Sequence, residues 1–237
     1  VLLNIFFGAL VNAAAAIAFQ VNTAVTGFVN NFRMAVDPQI IKSCAADNIT
    51  YMNHLVFGSA RFTFYLLLLL TLPLLLEMEI ILKLWLSKVP DYATLFTRLI
   101  LIYTLVQSFD LSFGSVFRAA GRIKENQLMA GSAFLLVLPV SYLLFKWGFP
   151  PETLFIVQIA AGFAAAFFVK IFLLWKLQNI SPGYYCRQLL FPTVTVACIA
   201  VILPLLIRFY MGAGIARLGT VAFFSVLSVA FSVYVFG

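Results

Sequence analysis

At 237 residues, 64% hydrophobic and only 10% charged, the chain carries more apolar surface than a water-soluble domain of its size can bury, so a soluble fold is excluded. A mean hydropathy of +1.07 and 26 Phe among abundant Leu, Ile and Val fit helices in lipid, not the weak alternation of an outer-membrane barrel. The formal charge of +7 comes from 15 Lys and Arg against 8 Asp and Glu; the basic residues sit at the ends of apolar stretches without forming a run, which indicates membrane anchoring and argues against nucleic acid.

Residues 1–7 are apolar and end at Gly8, and read as the tail of an earlier transmembrane helix. The chain starts on Val1, shows no signal peptide and is expected to be part of a longer protein. Residues 12–34 can cross a bilayer, yet carry Asn12, Gln20, Asn22, Thr23, Thr26, Asn30, Asn31 and Arg33. On an α-helix turning about 100° per residue these polar groups share half the circumference. Ile17, Val21, Val25, Phe28, Val29 and Phe32 take the opposite arc, while Phe19 and Met34 break the pattern. Unpaired polar groups in hydrocarbon cost several kcal/mol, so this face must look into a bundle or a cavity. Asp37-Pro38 is expected to stop the helix, because a residue before proline avoids helical angles. Residues 39–61 form the longest polar interval and are expected to hold a short surface helix.

Six more spans follow, at 62–86, 92–117, 127–147, 153–177, 189–210 and 218–236. Pro73 should kink the second span, and Pro139 lies inside the fourth. The fifth is rich in Ala and Gly, which permits close helix packing. Each span suffices for a hydrocarbon core of about 30 Å. Alternate connections carry nine basic residues, counting Arg33, Lys42, Arg61, Arg118, Arg122, Lys124, Lys170, Lys176 and Arg187; the others carry six. That bias places the loops near residues 42, 122 and 182 in the cytoplasm, together with the C-terminus.

Two stretches carry a resemblance: Leu3-Asn4-Ile5-Phe6-Phe7-Gly8 through Val11-Asn12-Ala13-Ala14 and Ile17-Ala18-Phe19-Gln20-Val21-Asn22, and Asp37-Pro38-Gln39-Ile40-Ile41-Lys42-Ser43. With Glu77 before Ile80-Ile81-Leu82-Lys83-Leu84-Trp85-Leu86, the Val89-Pro90-Asp91-Tyr92 loop and Ala120-Gly121-Arg122-Ile123-Lys124, the first half resembles bacterial O-antigen and capsule repeat-unit flippases. These belong to the superfamily that includes the MATE drug antiporters. The second half is similar only in hydropathy and loop spacing. The resemblance implies an all-α bundle of roughly 12–14 helices in two lobes that rock around a central cavity. Residues 1–237 would form the C-terminal lobe of about seven helices, with 189–237 an extra C-terminal helix pair. Two positions depart from the pattern: Ala15-Ala16 replace an Arg-Gly, and Arg118 replaces a Gln.

The activity so implied is movement of a lipid-linked oligosaccharide, a polyprenyl-diphosphate repeat unit, across the bacterial inner membrane. The implied partners are that substrate, membrane lipids, H+ or Na+ and the polysaccharide polymerase machinery. On this reading Asn12, Gln20, Asn22, Thr23, Thr26, Asn30 and Arg33 line the substrate cavity; interhelical hydrogen bonding, at about 0.6–2 kcal/mol each, is the alternative for them. Asp110, inside the third span beside Gln107, Ser108 and Ser112, is either an ion-coupling carboxylate or the ion-pair partner of Arg118. Arg118, Arg122 and Lys124 can attract a diphosphate, since arginine binds phosphate bidentately. Glu77 and Glu79 read as interfacial, paired with Lys83 or Lys88. A drug antiporter of the same fold would need a pocket with more carboxylates. A membrane glycan polymerase or ligase would show a large outer loop, and these are short. The chain carries no nucleophile elbow, phosphate loop or zinc signature, so enzyme activity and a cofactor are not expected. His54 is the lone histidine, and Cys44, Cys186 and Cys198 read as free thiols.

Overall fold

The computed structural model describes residues 2–111 and 113–237; the readings placed on Val1 and Ser112 lie outside the described residues. The chain is all-helical, with no strand among the described residues, and seven helical segments are long and apolar enough to cross a membrane. With so many Phe, Leu and Ile side chains turned outward, Leu138, Phe168, Phe209 and Phe231 among them, this is a multi-pass membrane protein.

The first segment is α1 (Leu2–Ala45). It breaks at Gly8, whose φ of 83° and ψ of 179° are open to glycine at little cost. The helix does not stop at Asp37-Pro38, as the sequence suggests, but carries Pro38 in its interior. Side chains from the third span hold it there: Ser115 Oγ donates to Asp37 Oδ1 at 2.5 Å and Arg118 Nη2 to Asp37 Oδ2 at 2.7 Å. Local preference yields to this tertiary contact. No separate surface helix forms in residues 39–61 either. α1 runs on to Ala45, a turn with Asp47 at φ 54° reverses the chain, and α2 (Ile49–Trp85) starts from Asn48, whose side chain accepts from the Tyr51 amide.

α2 is the spine of the bundle, packing on α1, α3 (Ala93–Leu111), α10 (Phe191–Tyr210) and α11 (Ile215–Phe236). Its irregular residue is Glu77, at φ −111° and ψ 19°, one turn beyond Pro73. The short α4 (Gly114–Ala119) continues the third span. The fourth divides into α5 (Ile123–Leu135) and α6 (Val137–Lys146), which puts Pro139 in a first turn, where its missing N–H costs nothing. The fifth runs through α7 (Thr153–Phe163), a π-helical turn (Ala164–Val169) and α8 (Lys170–Gln178). The short α9 (Pro182–Tyr185) leads by a second π-helical turn (Cys186–Leu190) into α10, and α10 and α11 form a hairpin.

Lipid gives little hydrophobic drive between helices, so packing geometry has to hold them together. Aromatic pairs supply part of it. Phe57 meets Phe113 edge-on at 5.3 Å and Phe64 stacks on Phe109 at 5.0 Å, each pair contributing about 0.5–1.5 kcal/mol beyond its buried area. Small residues supply another part. Ala14, Ala15 and Ala18 are buried where α1 meets its neighbours, and a side chain begun at Gly162 would stand 3.1 Å from the Tyr103 ring of α3. The three cysteines are free thiols.

Candidate functional site

The polar arc of α1 divides between two environments. Asn12, Gln20, Thr23 and Asn30 are exposed on the bundle surface, whereas Asn22, Thr26 and Arg33 are half-buried. Asn22 Oδ1 accepts from Thr104 Oγ1 of α3 at 2.5 Å, so this residue is engaged in helix–helix contact. The threonine hydroxyls donate back along their own helix, Thr23 to the Phe19 carbonyl at 2.8 Å and Thr26 to that of Asn22 at 2.9 Å. Their donors are thereby satisfied while one side of each oxygen stays available as an acceptor. The buried arc is Ala14, Ala15, Ala18, Val25 and Val29. Phe28, on the apolar arc, points outward at 67% exposure.

A cavity of about 350 Å³ opens between α1, α3, α5, α6 and α7. Asn12 reaches it from α1, Tyr103 from α3 and Gln158 from α7, with Phe19 and Phe134 as aromatic walls. Ala15 also lines it. Gln158 Oε1 is buried there without a hydrogen-bond partner among the described residues. Gln158 and Tyr103 escape sequence reasoning because each is a single residue in a long apolar run.

Asp110 lies in the other half of the bundle. Its partner is not Arg118 but Lys170, whose Nζ is 2.8 Å from Asp110 Oδ1. Lys170 is fully buried; its ammonium also donates to Asn126 Oδ1 of α5 at 2.5 Å and lies 4.9 Å from the centre of the Phe117 ring. Lys170 is therefore no loop anchor and does not belong among the positive-inside charges. Its signal is visible in the sequence as the one charge in Phe167-Phe168-Val169-Lys170-Ile171-Phe172-Leu173, where an intramembrane charge calls for a partner. The residue directly follows the π-helical turn, a distortion that recurs at functional sites. Arg33 of α1 and Tyr185 lie in the electrostatic neighbourhood of Asp110.

Arg118 belongs to a separate cluster with Asp37 and Ser115, beside an open recess lined by Met34, Pro38, Ile41 and Lys42. Arg122 pairs loosely with Glu125 at 3.8 Å, and Lys124 is exposed. These basic groups share the loop end of the bundle without converging on one point.

At the opposite end Glu77 departs from its expected partners. It is 1% exposed, and its carboxylate meets Arg217 Nη2 of α11 at 2.8 Å and Arg208 Nε of α10 at 3.8 Å. The kink turns the side chain away from Lys83 and Lys88 toward the C-terminal hairpin. Arg98 Nε of α3 donates to the Leu75 carbonyl at 3.0 Å, two residues before the irregular Glu77. Glu79 does pair with Lys83, at 2.7 Å on the surface.

Comparison of the chain with protein-family models, with curated proteins and with solved structures finds no match in any of the three.

Proposed function

We propose that the chain is the C-terminal lobe of a MATE-like flippase. It carries a lipid-linked oligosaccharide from the inner to the outer leaflet of the bacterial inner membrane by alternating access, serving lipopolysaccharide or capsule assembly. The observation that carries the proposal is the row Asn12, Gln20, Thr23 and Asn30, exposed along a helix long enough to cross the membrane. Amides and hydroxyls spaced over that length suit successive sugar hydroxyls, and they are not stable against lipid. The resemblance of the runs within residues 3–22, 37–43, 77–92 and 120–124 to repeat-unit flippases points the same way. In this reading Arg118, Arg122 and Lys124 draw in the diphosphate at the cytoplasmic face, and Asp110 couples transport to an ion. Pairing of Asp110 with Lys170 weighs against a pocket for cationic drugs.

Deleting the full-length gene in its host and assaying lipid-linked repeat units by leaflet tests the proposal. Inner-leaflet accumulation with loss of surface glycan, reversed by the wild-type gene, is expected. Normal glycan with new sensitivity to cationic drugs would replace the flippase by an antiporter.

A further inference from the structure

We propose that Lys170 is the resident counter-ion of Asp110, and that the pair is a proton-operated switch with no place for sodium. Three elements each supply one member: α3 gives Asp110, α5 gives Asn126 and α8 gives Lys170. Asp110 and Asn126 offer the oxygens that a hard cation would take, and the Lys170 ammonium holds an oxygen of each, at 2.8 and 2.5 Å. A sodium ion would have to displace a fully buried ammonium and would leave it with no counter-charge.

A proton acts differently. The Lys170 ammonium is fully protonated and fully buried, whereas the Asp110 side chain is 18% exposed, so the carboxylate is the member of the pair that can take up a proton. The carboxylate and the proton form a neutral carboxylic acid, and the ammonium keeps both its protons and its charge. Among the described residues its neighbours are then the neutral carboxyl group, the Asn126 oxygen and the Phe117 ring, none of which balances its charge, in a site where an uncompensated charge is strongly unfavourable. The arrangement relaxes when α8 separates from α3 and α5 far enough for Lys170 to reach water, and the π-helical turn just before Lys170 offers a place to yield. Of the surrounding groups, Arg33 stays cationic throughout, and Tyr103 and Tyr185 are the neighbouring phenols. Asp37, the carboxylate closest to Arg33 along α1, is held by Arg118 and Ser115. Coupling of the switch to cargo movement rests on the transport reading; the switch itself does not.

The test uses the full-length protein in lipid nanodiscs, with spin labels at Leu128 on α5 and Trp175 on α8, both exposed. Wild type is expected to shift its distance distribution between mildly alkaline and mildly acidic buffer, and to ignore replacement of KCl by NaCl. Asp110→Asn should show the acid distribution in both buffers. The double variant Asp110→Asn with Lys170→Met, which removes both charges together, should lose the acid shift. A wild type unmoved by acid, a shift produced by NaCl at constant pH, or an acid shift retained in the double variant would overturn the proposal. An acid shift in a protein whose deletion leaves lipid-linked oligosaccharide undisturbed would overturn only the flippase reading.

Discussion

Lys170 has no exposed surface, and its energetics follow from that. Removing one member of a buried ion pair strands the other, at about 3–5 kcal/mol, whereas removing both can be nearly neutral. Lys170→Met alone should therefore lower the unfolding midpoint steeply, and adding Asp110→Asn should restore most of the loss; a double variant as unstable as the sum of the singles would show that the two do not interact. Gly162 makes a steric prediction. With the Tyr103 ring 3.1 Å from the place a Cβ would occupy, Gly162→Val should cost about 1–3 kcal/mol by overpacking, and Tyr103→Leu in the same chain should recover part of it. At this scale the sequence is only half legible. Asp110 stands out as a carboxylate in an apolar span, but its partner lies 60 positions on in the chain, a pairing that no local pattern encodes. Arg118, two turns from Asp110, is the near choice, and the fold assigns it to Asp37 instead.

Elements end and bend where tertiary contacts decide. Pro38 is a strong local stop, yet α1 continues for seven residues past it because Asp37 is tied to Ser115 and Arg118. Pro73 foretells a bend in α2, but the irregular residue is Glu77, whose carboxylate faces α11. This bend joins the α10–α11 hairpin to the spine at one end. At the other end Arg61 Nη1 donates to the Gly237 carbonyl at 3.3 Å. Glu77→Gln should loosen the hairpin, leaving Arg217 buried with half its partner, and limited proteolysis at residues 211–214 should accelerate. Glu79→Gln is the control: its pair with Lys83 is more than 60% exposed on both sides, and exposed pairs contribute little. Equal proteolysis of the two variants would remove Glu77 from any role in fixing the hairpin. The apolar lengths of the spans were readable because twenty-odd apolar residues have few alternatives in a membrane. The π-helical turns were not, since they answer to packing and leave no mark on composition.

For the whole molecule, hydropathy alone settles seven spans and a multi-pass chain. The positive-inside bias also stands in the sequence, although Lys170 has to be taken out of it once burial is known. What hydropathy cannot convey is which face of α1 is packed. The alanines at 14, 15 and 18 take that role, and the amide-bearing arc is left outward. The central claim of the account is that this outward arc borders water and sugar, not lipid. The most direct test places single cysteines at Gln20, Thr23 and Asn30 in a full-length chain whose Cys44, Cys186 and Cys198 are replaced by serine, and treats intact membranes with a membrane-impermeant thiol reagent. The account predicts labelling at all three positions, slowed by lipid-linked oligosaccharide; three unreactive cysteines beside a labelled loop control would contradict it.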